Sequence, residues 1–159
     1  METPVARRAT ADDLDAVVGL RLAFEAIQRD SGSLDLEARR AELASLLGPD
    51  LASGRLRCWL ALEGGRPAGQ AALRLGTGRG AREGEILNVY VEPGLRGRGI
   101  GSGLVALAIA EARGLGLARL RLQPTPDSRR IYERAGFRGG GRAMTLDLAA
   151  GAGKEPSCG

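Results

Sequence analysis

The sequence predicts a single domain of mixed α/β class, and three observations carry that prediction. The 159 residues fit one domain, and at this length about two-thirds of the unfolded surface can be buried. Short β-rich runs alternate with longer stretches whose apolar residues recur at helical spacing. At the centre, over residues 85–122, a β-rich run, a glycine-rich turn, a helical stretch and a further β-rich run follow one another.

Taken in order, residues 5–8 make a short first strand. Thr10 supplies an N-cap, with Asp12 and Asp13 in the first turn, and Leu14, Val17, Val18, Leu22 and Ile27 predict a helix over 12–29. Ser31-Gly32-Ser33 breaks it. Leu36, Ala41, Leu43, Leu46 and Leu47 predict a second helix that stops near Gly48-Pro49. Runs 57–62 and 67–75, joined at Glu63-Gly64-Gly65-Arg66, predict a β-hairpin. A polar, glycine-rich loop over 76–84 leads to a central strand over 85–91, which Glu92-Pro93-Gly94 ends. From Ile100 the pattern is helical, with Leu104, Leu107, Ala108, Ala112 and Leu115 on one face and Gly114 and Gly116 at the close. Residues 118–122 make a strand, 127–135 a short helix stopped by Gly136, and 143–148 a last strand. The domain is expected to span 1–148, with a disordered tail over 149–159.

Composition narrows the chemistry. A net charge of +4 and a pI near 9.8 favour anionic partners without choosing among nucleic acid, membrane and a phosphorylated cofactor. Lys154 is the only lysine, a usage that follows GC-rich coding bias. Cys58 and Cys158 make neither a disulfide framework nor a zinc site, and Cys58 beside Trp59 reads as a buried strand residue, so no metal is expected. The chain has no histidine, which excludes His-based triads, bases and ligands. Proton transfer near neutral pH falls to a carboxylate, a tyrosine, a terminus or water. The N-terminus lacks the apolar core of a signal peptide, and no apolar run approaches the ~20 residues that span a bilayer. A cytoplasmic protein without membrane partners is expected.

The segment Arg96-Gly97-Arg98-Gly99-Ile100-Gly101, followed by Ser102 and Gly103, sits where the central helix begins. The first turn of a helix offers unpaired N–H groups and partial positive charge, and glycines let phosphate approach closely. Arg96 and Arg98 add charge and donors. A Walker A loop needs a Gly-Lys pair, which is missing here. A dinucleotide fingerprint would need its third glycine at Ser102 or Leu104, and Gln123-Pro124 stands where its ribose-binding acid is expected.

Arg96-x-x-Gly99-x-Gly101 resembles the R/Q-x-x-G-x-G/A signature of the GNAT superfamily of N-acetyltransferases. Val89-Tyr90-Val91-Glu92-Pro93 resembles the family's strand end before that loop. Ile131-Tyr132-Glu133-Arg134-Ala135-Gly136-Phe137 is similar to its tyrosine-bearing segment, and Arg8-Ala9-Thr10 with Asp13-Leu14 to its opening. The resemblance covers residues 5–148, most specifically 85–137. It implies the GNAT fold: a mixed, mostly antiparallel sheet of six to seven strands flanked by about four helices. It also implies acetyl-CoA as the acyl donor, a primary amine of a small molecule or a peptide or protein as acceptor, and direct attack in a ternary complex.

By the same resemblance, the backbone of Val89, Tyr90 and Val91 would pair with pantetheine, and a main-chain N–H there would hold the oxyanion. Gly97 to Ser102, including Arg98, Gly99, Ile100 and Gly101, would carry the pyrophosphate. Arg98, Arg129 and Arg130 would meet the 3′-phosphate, or are solvated surface charges. Tyr132 matches the proton donor to the departing thiolate; the alternative is packing against Phe137. Thr125 stands seven residues before Tyr132, where the family often has an asparagine that contacts the coenzyme, and Ser128 is an alternative N-cap. Glu85, eleven residues before Arg96, resembles a general base, with burial among Ile86, Leu87 and Val89 raising its pKa; otherwise it marks an exposed strand start. Phe24, Glu25, Gln28 and Trp59 are candidate acceptor-pocket residues, and Glu25 or Asp30 would attract a cationic amine. A catalytically silent coenzyme A sensor on the same fold is the alternative, against which the retained Tyr132 speaks. One Arg-Gly run with a single nearby aromatic argues against nucleic acid. Assembly as a homodimer stays open.

Overall fold

The computed structural model describes residues 5–28, 35–76 and 82–148. A six-stranded sheet in sequential order is built from β1 (Val5–Arg8), β2 (Leu56–Glu63), β3 (Arg66–Leu75), β4 (Glu83–Val91), β5 (Arg119–Leu122) and β6 (Met144–Asp147). All neighbours are antiparallel except β4 and β5. Helices α1 (Leu14–Gln28) and α2 (Leu36–Ser53) cover one face, and α3 (Ile100–Gly114) and α4 (Arg129–Arg134) the other. The expected mixed, mostly antiparallel sheet with four helices is therefore present. The expected disordered tail lies outside the described residues, as do Asp30, the Ser31-Gly32-Ser33 breaker and the middle of the 76–84 loop.

Each face of the sheet supports its own core, as the period-two alternation of strand side chains requires. Val17, Val18, Leu43, Leu47 and Leu60 pack on the α1–α2 side. Leu73, Ile86, Leu104, Val105, Leu120 and Phe137 pack on the α3–α4 side. Trp59 belongs to the second core, so it lies across the sheet from α1, which carries the other candidate pocket residues Phe24, Glu25 and Gln28. Cys58 is fully buried as the sequence predicts, and burial pushes its thiol up to about 12.

Two helices depart from their sequence patterns. Helix α2 does not stop at Gly48-Pro49; it runs through Pro49 to Ser53, ending at Gly54. Leu43, Leu47 and Leu51 are all buried at four-residue spacing, so the packing of the extra turn outweighs the missing Pro N–H. In α3 the core face is Leu104, Val105, Ala108, Ile109 and Ala112, whereas Leu107 and Leu115 are 37% and 42% exposed. Four-residue rows from Leu104 and Val105 point at the sheet, and the leucine pattern missed this rotation.

Candidate active site: an opened sheet and a glycine cradle

The parallel pair β4–β5 is joined only over Glu83↔Arg119, Gly84↔Leu120 and Glu85↔Arg121. Strand β4 continues to Val91, while β5 ends at Leu122 before Gln123-Pro124. Among the described residues, β4 beyond Glu85 has no strand partner on its β5 side, leaving about 20 Å of open edge at ~3.3 Å per residue. Val89, Tyr90 and Val91 lie on that edge.

A bulge sits in the same stretch. Gln70 pairs with Tyr90 and Ala72 with Leu87, so two β4 residues, Asn88 and Val89, oppose Ala71 alone. Asn88 has φ +56°, and asparagine is among the few non-glycine residues that tolerate this region. The extra residue breaks the alternation: Leu87 and Tyr90 join the α1–α2 core, while Val89 packs on the other side.

The glycine-rich turn lies directly after β4. Gly97 and Gly99 have φ +83° and +80°, and both are open to solvent, so it is the backbone that demands glycine here. Gly99 caps α3, and the first helical bond runs from Gly103 N to Gly99 O at 3.0 Å. The N–H groups of Ile100, Gly101 and Ser102 therefore have no partner within the helix. Arg96 donates from Nε to Val91 O at 2.8 Å, and its guanidinium lies 5.7 Å from the Tyr90 ring centroid. It ties the turn to the end of β4. A Cβ on Gly101 would touch Val91 Cγ2 at 3.7 Å and Ile131 Cδ1 at 3.8 Å, so strand end, cradle and α4 converge. From Ser102 a groove of about 340 Å³ follows the α3–α4 seam past Val105, Ile109 and Ile131 to Arg113 and Arg134.

Tyr132 follows Ile131 on α4, is 5% exposed, and packs edge-on against Phe137 with centroids 6.0 Å apart. Burial pushes its hydroxyl up to about 12, against a smaller opposing effect of the Ser128 side chain. Ser128 stands at the N-cap position, but its hydroxyl hydrogen-bonds within the Thr125 turn rather than to the helix. Thr125 Oγ1 bonds Ser128 Oγ at 2.9 Å. Arg98 faces Glu63 at 3.7 Å, Arg129 contacts Glu133 and the Gly139 carbonyl, and Arg130 is exposed.

Glu85 is half-buried at the closed end of the opening, in register with Arg74 on β3 and Arg121 on β5. It alternates with Leu87 and so faces the α1–α2 side, whereas Tyr132 belongs to the α3–α4 core. The two candidate catalytic residues thus stand on opposite faces of the sheet.

Glu25 does not offer a free acid to a cationic amine. Arg39 grips it with Nε to Oε1 at 2.9 Å and Nη2 to Oε2 at 2.6 Å, and Arg21 Nε adds a bond at 2.8 Å. Chiefly through Arg39, these bonds hold the carboxyl down at about 2 despite its burial. Phe24 remains near the site, 6.0 Å from Tyr90. The sequence reading missed Arg21, Arg39 and Asn88, whose Oδ1 accepts from Arg21 Nη1. A buried asparagine inside a β-rich run was the signal that could have found the bulge. Among the described residues no helix is long and apolar enough to cross a membrane, and no group of three or more Cys, Asp or Glu could hold a metal.

Comparison with known proteins agrees with this geometry. No curated protein matches the sequence. A GCN5-related N-acetyltransferase from Ralstonia eutropha JMP134 is similar at 31% identity and TM-score 0.73, over 86% of this chain and 93% of that one. The ribosomal-protein-alanine N-acetyltransferase of Brucella melitensis shares the fold at 24% identity and TM-score 0.69, over 91% and 99% of the two chains. PaiA N-acetyltransferase from Thermoplasma acidophilum, solved in complex with coenzyme A, does so at 17% identity and TM-score 0.74, over 92% and 99%. The model of the acetyltransferase (GNAT) family matches residues 22–137, the stretch that holds the opened sheet, the cradle and Tyr132, and the chain belongs to that family.

Proposed function

We propose that the protein transfers the acetyl group of acetyl-CoA to a primary amine by direct attack in a ternary complex. The observation that carries this is the opening of β4 from β5, with the glycine cradle at its mouth and α4, which carries Tyr132, reaching the cradle through Ile131. Coenzyme A in the Thermoplasma relative supports the donor. The free edge at Val89, Tyr90 and Val91 takes the pantetheine amides as an added strand would be taken. Gly97 to Ser102 carry the pyrophosphate on backbone N–H groups, with Arg98 adding charge, and the adenosine lies along the α3–α4 groove.

The acceptor enters from the α1–α2 face. Its neutral nitrogen attacks the thioester carbon, a β4 main-chain N–H stabilises the oxyanion, and the C–S bond breaks as the amide forms. The thiolate leaves on the α3–α4 side and takes the Tyr132 proton. The proton released by the amine goes to Glu85, directly or through water. Covalent catalysis is disfavoured: there is no histidine, and Cys58 is buried with its proton firmly held.

The test is thiol release from acetyl-CoA across polyamines, amino acids, aminoglycosides and peptide N-termini. Amine-dependent release is expected, and Glu85→Gln is expected to shift or flatten the acid limb of its pH–rate profile. Strong stabilisation by coenzyme A with turnover on no amine would instead make the protein a coenzyme A sensor.

A further inference from the structure

Resting on the acetyl-transfer reading, we propose that the acceptor carries a carboxylate next to its amine, as a free α-amino acid does, and that Arg21 binds it. Arg21 projects from α1 onto the β4 bulge, where Nη1 donates to Asn88 Oδ1. Asn88 directly precedes Val89, the first strand residue proposed to meet pantetheine. The guanidinium thus lies one residue from the path of the thioester. Its carbon is 5.9 Å from the Phe24 ring centroid, and Phe24 leans on Tyr90. Nε is used by Glu25 and Nη1 by Asn88; among the described residues Nη2 has no partner, and the side chain is 30% exposed.

Around Arg21 two guanidinium groups share one buried carboxylate. Among the described residues Glu25 is the one buried acid, and it is shared between the Arg39 fork and Arg21 Nε. Glu42, the second acid on Arg39, is largely exposed and screened by solvent. Arg21 and Arg96 then bracket the Phe24–Tyr90 pair, with Arg96 5.7 Å from the Tyr90 centroid. A polyamine or aminoglycoside would bring several cations to these guanidinium groups. A carboxylate would complete the planar fork of Arg21. Glu85 lies on the same face three residues before Asn88, about 10 Å along the strand. An α-amino acid would set its amine between anchor and base with no further cation.

Buried polarity is concentrated here as well. The buried polar residues among those described are Glu25, Gln70 and Asn88. Gln70 stands opposite Tyr90 in register, and its Oε1 has no hydrogen-bond partner among the described residues. Polar groups gathered between α1 and the sheet, one of them unsatisfied, mark a binding region better than a stability device.

The experiment measures thiol release from acetyl-CoA with α-amino acids, their carboxamides, the corresponding amines without the carboxyl group, and a polyamine. Wild type, Arg21→Gln and Arg21→Lys are compared, with stabilisation by coenzyme A checking that each variant is folded. The expected kcat/KM for an amino acid exceeds that of its carboxamide by roughly 10- to 100-fold, mainly through KM, as one charge-assisted contact supplies. That ratio collapses toward one in Arg21→Gln and partly returns in Arg21→Lys. Polyamines or carboxamides used as well as amino acids by wild type, or a ratio unchanged in Arg21→Gln, would overturn the proposal. If no amine is acetylated, calorimetric titration with amino acids separates the two readings. Binding lost in Arg21→Gln keeps the carboxylate site and removes acetyl transfer, whereas no binding removes both.

Discussion

Burial keeps the Tyr132 proton in place across the neutral range, because the hydroxyl is raised to about 12 and titrates only in strong alkali. A donor must hold its proton until the thiolate forms, and the same desolvation raises the proton affinity of a sulfur leaving beside it. Tyr132→Phe keeps the ring against Phe137 and removes only the hydroxyl. It is expected to lower kcat by about 100-fold or more while the KM for acetyl-CoA changes little. Steady-state kinetics check this, and full activity in the variant would remove Tyr132 from the chemistry. The reversal at Glu25 belongs to this scale too. Arg39 lies fourteen residues away across a helix connection, so nothing in the local sequence revealed that the acid is already claimed.

At the scale of elements, strand, turn and helix between Glu83 and Gly114 were legible because each has a local cause. A run rich in Ile, Val and Tyr makes β4, glycines at positive φ make the cradle, and helical periodicity makes α3. The cradle's demand is testable: Gly99→Ala places a Cβ at φ +80° and is expected to cost about 1 kcal/mol of stability. Coenzyme A affinity should fall by about tenfold as the N–H groups turn away, and calorimetry reads both effects. What stayed hidden was decided between elements. The last turn of α2 depends on Leu51 reaching the core past Pro49, and the α3 face on which side chains meet β3 and β4. The β4 bulge depends on register with β3, and within the β4 run Asn88 alone points to it.

At the scale of the whole molecule, the proposed transfer puts donor and acceptor on opposite faces of the sheet, to meet where β4 and β5 part. The sheet's two faces differ in polarity, with α3 and α4 over an apolar core and the Arg21–Glu25–Arg39 network on the other side. That network ties α1 to α2 and is sensitive to acid. Because the Glu25 carboxyl is lower when folded, about 2 against an ordinary 4.5, its stabilisation is complete above 4.5 and lost as pH falls toward 2. Asp13, held at about 2 mainly by Arg7, adds a smaller effect at the surface. Thermal melts should show Tm falling through that window, and Glu25→Gln should cost about 3 kcal/mol at pH 7 and flatten the decline. The central claim is direct transfer across the sheet without an acyl-enzyme, and initial velocities measured against acetyl-CoA at several fixed amine concentrations test it most directly. Intersecting double-reciprocal lines, with the acetyl group recovered on the amine, are predicted. Parallel lines with acetyl label held on the protein, or no amine-dependent release, would contradict it.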